Sequence, residues 1–194
     1  LEVESGTELS GYLRMPSEQF QLELTSPEIK YAESKFDQLS LILKNDLDSS
    51  EVDLKVGRFD YDNVVIDSNH IALHIISDSV DFKINAIVRD SIDSPISVAG
   101  HSIRGNKDFY ELNLRRSTFN VGSQYFHIKG DNKISWYKEF VTVENIYLIS
   151  EESDIAINGK LSKNRNEILR FSFDSLNVNI LNYFIGDENT RLSG

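Results

Sequence analysis

The chain has 194 residues, of which 40% are hydrophobic and 26% charged, and its formal net charge is −11. This composition is typical of a soluble domain or a short array of repeats and argues against disorder, while the negative charge argues against binding to a nucleic-acid backbone. The absence of cysteine excludes disulfides, thiolate zinc sites and thiol nucleophiles.

Apolar and polar residues alternate along most of the chain, which is the period of a strand with one apolar face. In chain order, the clearest alternating runs are residues 20–24, 52–56, 82–84, 110–114, 140–143 and 169–173. Residues 29–43 fit both a helical stripe and a strand, and the alternation on either side favours the strand. Asn, Asp and Gly predict turns at residues 45–46, 60–63 and 130–132.

Near the C-terminus, residues 178–184 predict one short helix, for which Ser175 or Asn177 is available as the N-cap. No apolar run reaches the roughly 18 to 20 residues that a membrane-spanning helix needs. The predicted fold class is therefore all-β, with stacked antiparallel strands and this one short helix.

Two markers recur along the chain. The first is a pair of apolar residues two positions apart, the apolar doublet, which returns after about 30 residues. The doublets are Leu22/Leu24, Val52/Leu54, Phe82/Ile84, Leu112/Leu114, Val141/Val143 and Phe171/Phe173. The second marker is an apolar-x-Gly triplet, found at residues 9–11, 98–100, 157–159 and 192–194. This spacing predicts one β-array over residues 1–194, built from weak repeats that stack on their neighbours.

Two motifs that suggest catalysis or metal binding fail on their context. Residues 100–105 resemble a nucleophile elbow, but the second glycine comes one residue late and a strand follows where the elbow needs a helix. His70 and His74 have a zinc-binding spacing for a helix. On the predicted strand they would lie roughly 13 Å apart, which one metal ion cannot bridge.

Two acidic segments fail in the same way. The segment from Asp46 begins like a calcium-binding loop, but Glu51 stands where its glycine is needed and Gly57 where its bidentate acid is needed. The acidic residues at 151–154 are expected to form a solvated turn rather than a glycosidase carboxylate pair. No catalytic residue, metal site or cofactor is therefore predicted, and the chain is expected not to be an enzyme.

The last 60 residues repeat one order of motifs: a strand ending in apolar-x-Gly, an L-x-F-x-F strand, a short segment and a new L-x-G, at residues 143–150, 153–162, 167–173, 176–184 and 192–194. In this order the segment resembles the TamB and AsmA-like family of Gram-negative envelope proteins. Residues 20–24, Tyr31 and residues 39–43 are similar in a weaker way. The ends of the chain carry no signal peptide or tail, which suggests an internal segment cut from a longer protein.

The resemblance implies a β-taco, in which stacked strands form a solenoid-like trough with an apolar concave side. It implies transport of phospholipids between the inner and outer membranes and a role in outer-membrane assembly. The segment would be periplasmic, in a parent protein anchored in the inner membrane. Its partners would be phospholipid acyl chains and, through other parts of the parent, an outer-membrane assembly protein of the Omp85 type.

A physical reason supports such a trough. Each CH₂ exposed to water costs about 0.8 kcal/mol, so a bare sixteen-carbon tail costs on the order of 12 kcal/mol. The trough would be lined by the twelve doublet residues together with Phe119 and Trp136, and Phe140 is a further candidate.

Two alternatives remain open at this point. One is a structural or interaction β-sandwich domain of an envelope protein. The other is a carbohydrate-binding module that uses Trp136 and Tyr137. Complete burial of all six doublets would indicate the sandwich, whereas a trough leaves them open on one face.

Overall fold

A computed structural model describes residues 1–62, 64–89, 93–105, 109–121 and 124–175. These residues form fifteen strands and no helix, and the strand pairings within each part of the chain are antiparallel. The predicted all-β, antiparallel fold is confirmed at this level. The predicted helix at residues 178–184 lies outside the described residues. No helix that could cross a membrane occurs in the described ranges.

The chain divides into two compact units, residues 1–103 (unit 1) and residues 104–194 (unit 2). Unit 1 is a meander in which β3 to β8 each pair with the next strand in sequence, while β1 and β2 both pair with β3. Its strands are β1 (Glu2–Val3), β2 (Glu8–Arg14), β3 (Gln19–Tyr31), β4 (Ser34–Asn45), β5 (Ser50–Tyr61), β6 (Val64–Ile76), β7 (Ser79–Arg89) and β8 (Ser94–Arg104).

A left-handed residue directly follows three of the strands in unit 1. Ala32, Asp62 and Ser77 each have a φ of 51° to 52° immediately after a strand ends. Left-handed residues at this position suit the twist of a two-residue hairpin connection. The ambiguous segment at residues 29–43 is thus two strands that meet at Ala32, which confirms the strand interpretation.

A line of irregular residues crosses unit 1 and is called the kink line below. It consists of Pro27 on β3, Gln38 on β4, Gly57 on β5 and Ser68 on β6. These residues interrupt the cross-strand pairing, and Gln38 and Ser68 both have a φ of 53°. The Gln38 side chain lies over Gly57, where a Cβ would stand 2.5 Å from its Oε1. Such interruptions bend strands and increase their twist.

Unit 2 has shorter strands with a less regular order. It contains β9 (Tyr110–Leu114), β10 (Ser117–Val121), β11 (Gln124–Ile128), β12 (Lys133–Tyr137), β13 (Phe140–Ile149), β14 (Asp154–Ser162) and β15 (Leu169–Asp174). β13 pairs with β14 on one side, while β12 and β11 share its other side. β9 then pairs with β12, β10 with β11, and β15 with β14.

Very few apolar side chains are buried among the described residues. Val56 is the one in unit 1. The other four lie in unit 2 and are Phe126, Ile128, Val143 and Ile146. Phe126 is 2% exposed, and its ring stacks on Phe119 with a centroid distance of 5.9 Å. The other apolar side chains of the described residues are half-buried or exposed.

A half-exposed apolar strip as the candidate functional site

Two rows of apolar residues cross unit 1 from strand to strand, and together they are called the apolar strip. The first row is Leu9, Leu24, Leu41, Leu54, Ile71, Ile84 and Val98, and the second is Gly11, Leu22, Leu43, Val52, Leu73, Phe82 and Gly100. Each member is the direct cross-strand partner of the next. Direct partners in an antiparallel ladder project from the same face, so the strip is one continuous apolar surface.

The strip explains the spacing of the doublets in unit 1. The doublets at residues 22/24, 52/54 and 82/84 fall on β3, β5 and β7 in the same two rows. Their step of about 30 residues is therefore one hairpin, that is, two strands with their connections. Equivalent pairs on β4 and β6, at residues 41/43 and 71/73, complete the rows. The same alternation marks these two pairs in the sequence, between the 30-residue steps.

Most members of the strip are half-buried rather than fully buried. All twelve doublet residues lie within the described part of the chain, and Val143 alone is buried, at 8% exposure. In unit 1, Ile84 is exposed and the other five are half-buried. On β15 of unit 2, Phe171 and Phe173 are 54% and 49% exposed. This differs from a sandwich, whose doublets would all be buried.

The two sequence markers prove to be neighbours across the sheet. Gly11 pairs with Leu22 and Gly100 with Phe82, while Gly159 pairs with Val143. Each triplet glycine that the structure describes thus lies opposite a doublet residue, and Gly194 lies outside the described residues. A Cβ on Gly159, whose φ is 127°, would stand 2.3 Å from the Ile168 carbonyl oxygen. At this position the glycine allows a backbone approach that no side chain permits.

The opposite face of unit 1 is polar and holds His70 and His74, the two histidines with the zinc-binding spacing. His70 Nε2 lies 2.8 Å from Asp53 Oδ2, and Lys55 Nζ lies 3.0 Å from the other carboxylate oxygen. The hydrogen bond to His70 holds the pKa of Asp53 below its usual range. His74 pairs with Glu51 on one side and Asp81 on the other. The described residues include no group of three or more side chains placed to hold a metal ion.

Charged residues form a network beyond the kink line. Lys35 Nζ lies 2.9 Å from Glu28 and 3.0 Å from Asp37, and Lys30 Nζ lies 2.6 Å from Glu28. Hydrogen bonds from Lys30 and Lys35 lower the pKa of Glu28 to about 2. Opposite charges in cross-strand positions stabilise a sheet modestly, so this network supports the architecture rather than a catalytic step.

In unit 2 the predicted lining residues divide between the two faces of the sheet. Trp136 stacks on Tyr110 with a centroid distance of 5.2 Å and pairs with Val141. Tyr137 points to the other face, where its ring centroid lies 4.8 Å from those of Phe109 and of Phe140. Neighbouring residues on a strand face opposite ways, so Trp136 and Tyr137 do not form one sugar-binding platform.

Cross-strand pairing also places the other doublet residues of unit 2. Leu112 and Val143 both pair with Ile134, so they share the face of Trp136. Phe171 and Phe173 pair with Ile157 and Ile155 on β14. Leu114 ends β9, where its backbone N–H donates to the Asn132 side chain at 2.9 Å and its carbonyl oxygen accepts from it at 2.8 Å.

Two of the clefts among the described residues lie beside these surfaces. One, in unit 2, has a volume of about 460 Å³ and is lined by Gln124, His127, Ser150 and the first two acidic residues of the turn predicted at residues 151–154. Gln124 Nε2 donates to Glu152 Oε2 at 2.8 Å. The other, in unit 1, has a volume of about 350 Å³ and lies where three hairpin connections meet, at residues 16–18, 45–50 and 75–77.

Comparisons with protein-family models, with curated proteins and with solved structures find no match. The chemistry of the chain itself therefore carries the case for a function. Its most extensive feature is an amphipathic sheet with ion pairs on one face and an open apolar strip on the other.

Proposed function

We propose that this chain is a non-enzymatic segment of a TamB-like periplasmic protein, and that its apolar strip holds phospholipid acyl chains as they pass between the inner and outer membranes. The observation that carries the proposal is the strip itself. Its two rows run without a break over β3 to β8, with every residue opposite the next, and they remain half-exposed.

The length of the strip suits an acyl chain. The first row runs over the seven strands from β2 to β8. With neighbouring strands about 4.8 Å apart, six spacings give roughly 29 Å. One leaflet of a bilayer has a hydrocarbon thickness of about 15 Å, half of the core. A whole acyl chain can therefore lie across the strands and remain in contact with apolar side chains.

Removal of apolar surface from water favours the binding of an acyl chain to the strip. A sixteen-carbon tail in water is unfavourable by on the order of 12 kcal/mol, and an open apolar sheet face is itself unfavourable. Contact between the two removes both apolar surfaces from water without any bond being made or broken. The ion-paired face with Asp53 and His70 stays in water, where it keeps the segment soluble.

The trough shape is part of the proposal. The kink line crosses β3 to β6 beside the strip, and interruptions of this kind bend strands. A sheet bent along this line would give the strip a concave side, as in a β-taco. In the parent protein, an inner-membrane anchor and a contact with an outer-membrane assembly partner of the Omp85 type would lie in other segments.

Native mass spectrometry and lipid extraction test the proposal. The purified chain is expected to carry phospholipid, and Leu54→Asp should remove most of it because the charge stands in the middle of the strip. Ser40→Asp is the matched control, since Ser40 lies on the polar face opposite Lys55. Equal lipid in the two variants would contradict the proposal. A lipid-free dimer of the unsubstituted chain would indicate the interaction domain instead.

A further inference from the structure

The strand β2 forms an edge of unit 1. Its residues pair with β3 on one side, and all seven of them, from Glu8 to Arg14, are exposed. No described residue pairs with the other side of β2. On that side, the backbone N–H and C=O groups of every second residue point away from the sheet. An edge of this kind is a template for pairing with a further strand.

The interior of β2 lacks the features that protect an edge strand. Proteins prevent edge pairing with charges, prolines and bulges. Residues 9–13 contain neither a charge nor a proline, and the pairing of β2 with β3 runs in unbroken register. Leu9 and Leu13 are each 67% exposed. Leu9 belongs to the apolar strip, and Leu13 lies four positions further on and faces the same way.

The sequence of β2 is complementary to itself. Two copies can be placed antiparallel, with Gly11 of each opposite Gly11 of the other, so that a two-fold axis passes between the glycines and every other contact occurs twice. This register pairs all seven residues, whereas a shift by one residue would place apolar side chains opposite polar ones. The pairs between the two copies are Glu8 with Arg14, Leu9 with Leu13, and Ser10 with Tyr12.

The two charges at the ends of β2 are not used for ion pairs within the described part of the chain. The Arg14 guanidinium lies over the Tyr12 ring, 5.2 Å from its centroid, and neither Arg14 nor Glu8 forms an ion pair with another described residue. In the antiparallel register, each of these charges meets its opposite on the second copy. Opposite charges in directly opposed positions stabilise an antiparallel pair of strands, and like charges destabilise it.

We infer that β2 is the site at which a second copy of this chain binds, as a two-fold symmetric extension of the sheet. Backbone hydrogen bonds supply affinity in such strand addition, and the alternating side chains supply specificity. The second row of the strip then meets itself at Gly11, so the apolar surface continues from one copy to the other on one face. Fourteen strands about 4.8 Å apart give it a length of roughly 60 Å. The inference goes beyond the proposed function, because the pairing itself needs no lipid.

Charge reversal at the two ends of β2 tests the inference. Seven paired residues form a small interface, so the dimer is expected to be weak, and sedimentation velocity over about 5 to 500 μM should show a monomer–dimer equilibrium. Glu8→Arg places like charges opposite each other at both ends of the paired strands, and so does Arg14→Glu. Each single variant should weaken dimerisation about tenfold, and by less in about 0.5 M salt.

The pairing register makes a sharper prediction for the two single variants together. In an equimolar mixture, each reversed charge meets its opposite on the other variant, so the mixture should dimerise about as strongly as the unsubstituted chain. The double variant Glu8→Arg/Arg14→Glu should do the same. The controls are Glu33→Arg and Arg165→Glu, which make the same changes of charge at exposed positions outside β2. They should dimerise like the unsubstituted chain, alone or mixed.

A monomer at every concentration would overturn the inference. Association that the single variants leave unchanged, or variants that stay monomeric when mixed, would overturn it as well. Species larger than a dimer would indicate pairing between two different edges and would also contradict it. Phospholipid is extracted from the same samples, because a dimer without lipid keeps this inference and rejects the proposed function, whereas a lipid-loaded monomer does the reverse.

Discussion

Gly159 shows what a single residue contributes to this fold. It closes one of the apolar-x-Gly triplets, and its φ of 127° belongs to a region that residues with a side chain rarely adopt. The Ile168 carbonyl oxygen would stand 2.3 Å from an added Cβ. The marker that the sequence displays as a spacing is therefore a local requirement of the backbone at this position.

Gly159→Ala is expected to lower the free energy of unfolding by about 1–3 kcal/mol, because the backbone must shift or adopt a strained conformation. Urea denaturation followed by circular dichroism measures the change. Gly130→Ala is the control, since a Cβ there would meet no atom within 4 Å. A loss of similar size in both variants would show that steric contact at Gly159 is not the cause.

Glu28 makes the stability of unit 1 sensitive to acid. Its pKa lies at about 2 in the folded chain, against 4.5 for an unperturbed glutamate, because Lys30 and Lys35 donate hydrogen bonds to it. A lowered pKa in the folded state stabilises the fold above the unfolded pKa, and this stabilisation is lost as the pH falls from 4.5 towards 2.

The unsubstituted chain should therefore lose more unfolding free energy than Glu28→Gln between pH 5 and pH 2, as measured by urea denaturation at each pH. The difference should shrink in 0.5 M salt, because the network is exposed. Glu33→Gln removes a carboxylate without an ion pair among the described residues and should follow the unsubstituted chain. Parallel pH profiles for all three proteins would contradict a role of Glu28.

At the scale of the element, the strands of unit 1 are defined by alternation and interrupted by the kink line. Ser68, on that line, has a φ of 53°, whereas Ser40 lies in a regular part of β4. The same substitution should therefore have opposite effects at the two sites. Left-handed backbone costs a residue with a side chain about 1–2 kcal/mol, and glycine in a regular strand costs roughly 0.5–1 kcal/mol.

Ser68→Gly is accordingly expected to raise the free energy of unfolding by up to about 1 kcal/mol, and Ser40→Gly to lower it by a similar amount. Chemical denaturation of the two variants beside the unsubstituted chain measures both effects. Destabilisation by both substitutions would show that the Ser68 side chain makes a contribution larger than the backbone strain.

The sequence predicts the local part of this architecture well. Alternation placed strands at residues 20–24, 52–56 and 82–84, and the structure has β3, β5 and β7 there. Turn residues such as Asp62 also fall where strands end. These features depend on neighbours in sequence, so a period of two reveals them.

The strand order of unit 2 and the cleft in unit 1 depend on residues far apart in the chain. β13 pairs with β11, β12 and β14, and no local pattern distinguishes that order from a simple meander. The cleft is formed by three connections spaced about 30 residues apart, which only the meander brings together. The opposed directions of Trp136 and Tyr137, by contrast, follow from alternation alone.

At the scale of the whole molecule, few side chains of the described residues are fully buried, and most of the apolar strip is half-buried. A ligand that binds only the folded chain stabilises it by about 2.7 kcal/mol at one hundred times its Kd. For a chain of this length, each kcal/mol raises the thermal midpoint by roughly 2–4 °C. Lysophosphatidylethanolamine below its micelle concentration should therefore raise the midpoint by roughly 5–10 °C.

Differential scanning calorimetry measures this shift, and Leu54→Asp should abolish it while Ser40→Asp keeps it. The comparison separates contact with the strip from a general effect of the amphiphile, because the two charges are introduced on opposite faces of neighbouring strands. A shift of the same size in both variants would place the amphiphile elsewhere on the chain.

The recurrence of one hairpin in about 30 residues determines how much distance the chain spans per residue. Each hairpin lengthens the array by two strand spacings, or roughly 10 Å. The same 30 residues wound into a single helix would reach about 45 Å. For the same number of residues, the hairpin array therefore spans only roughly a quarter to a fifth of the distance that a helix spans. The extra residues go into breadth, since each rung is about twelve residues wide in β4 and β5. A chain that only had to span a distance would not need that breadth, whereas a chain that binds acyl chains along an apolar surface would.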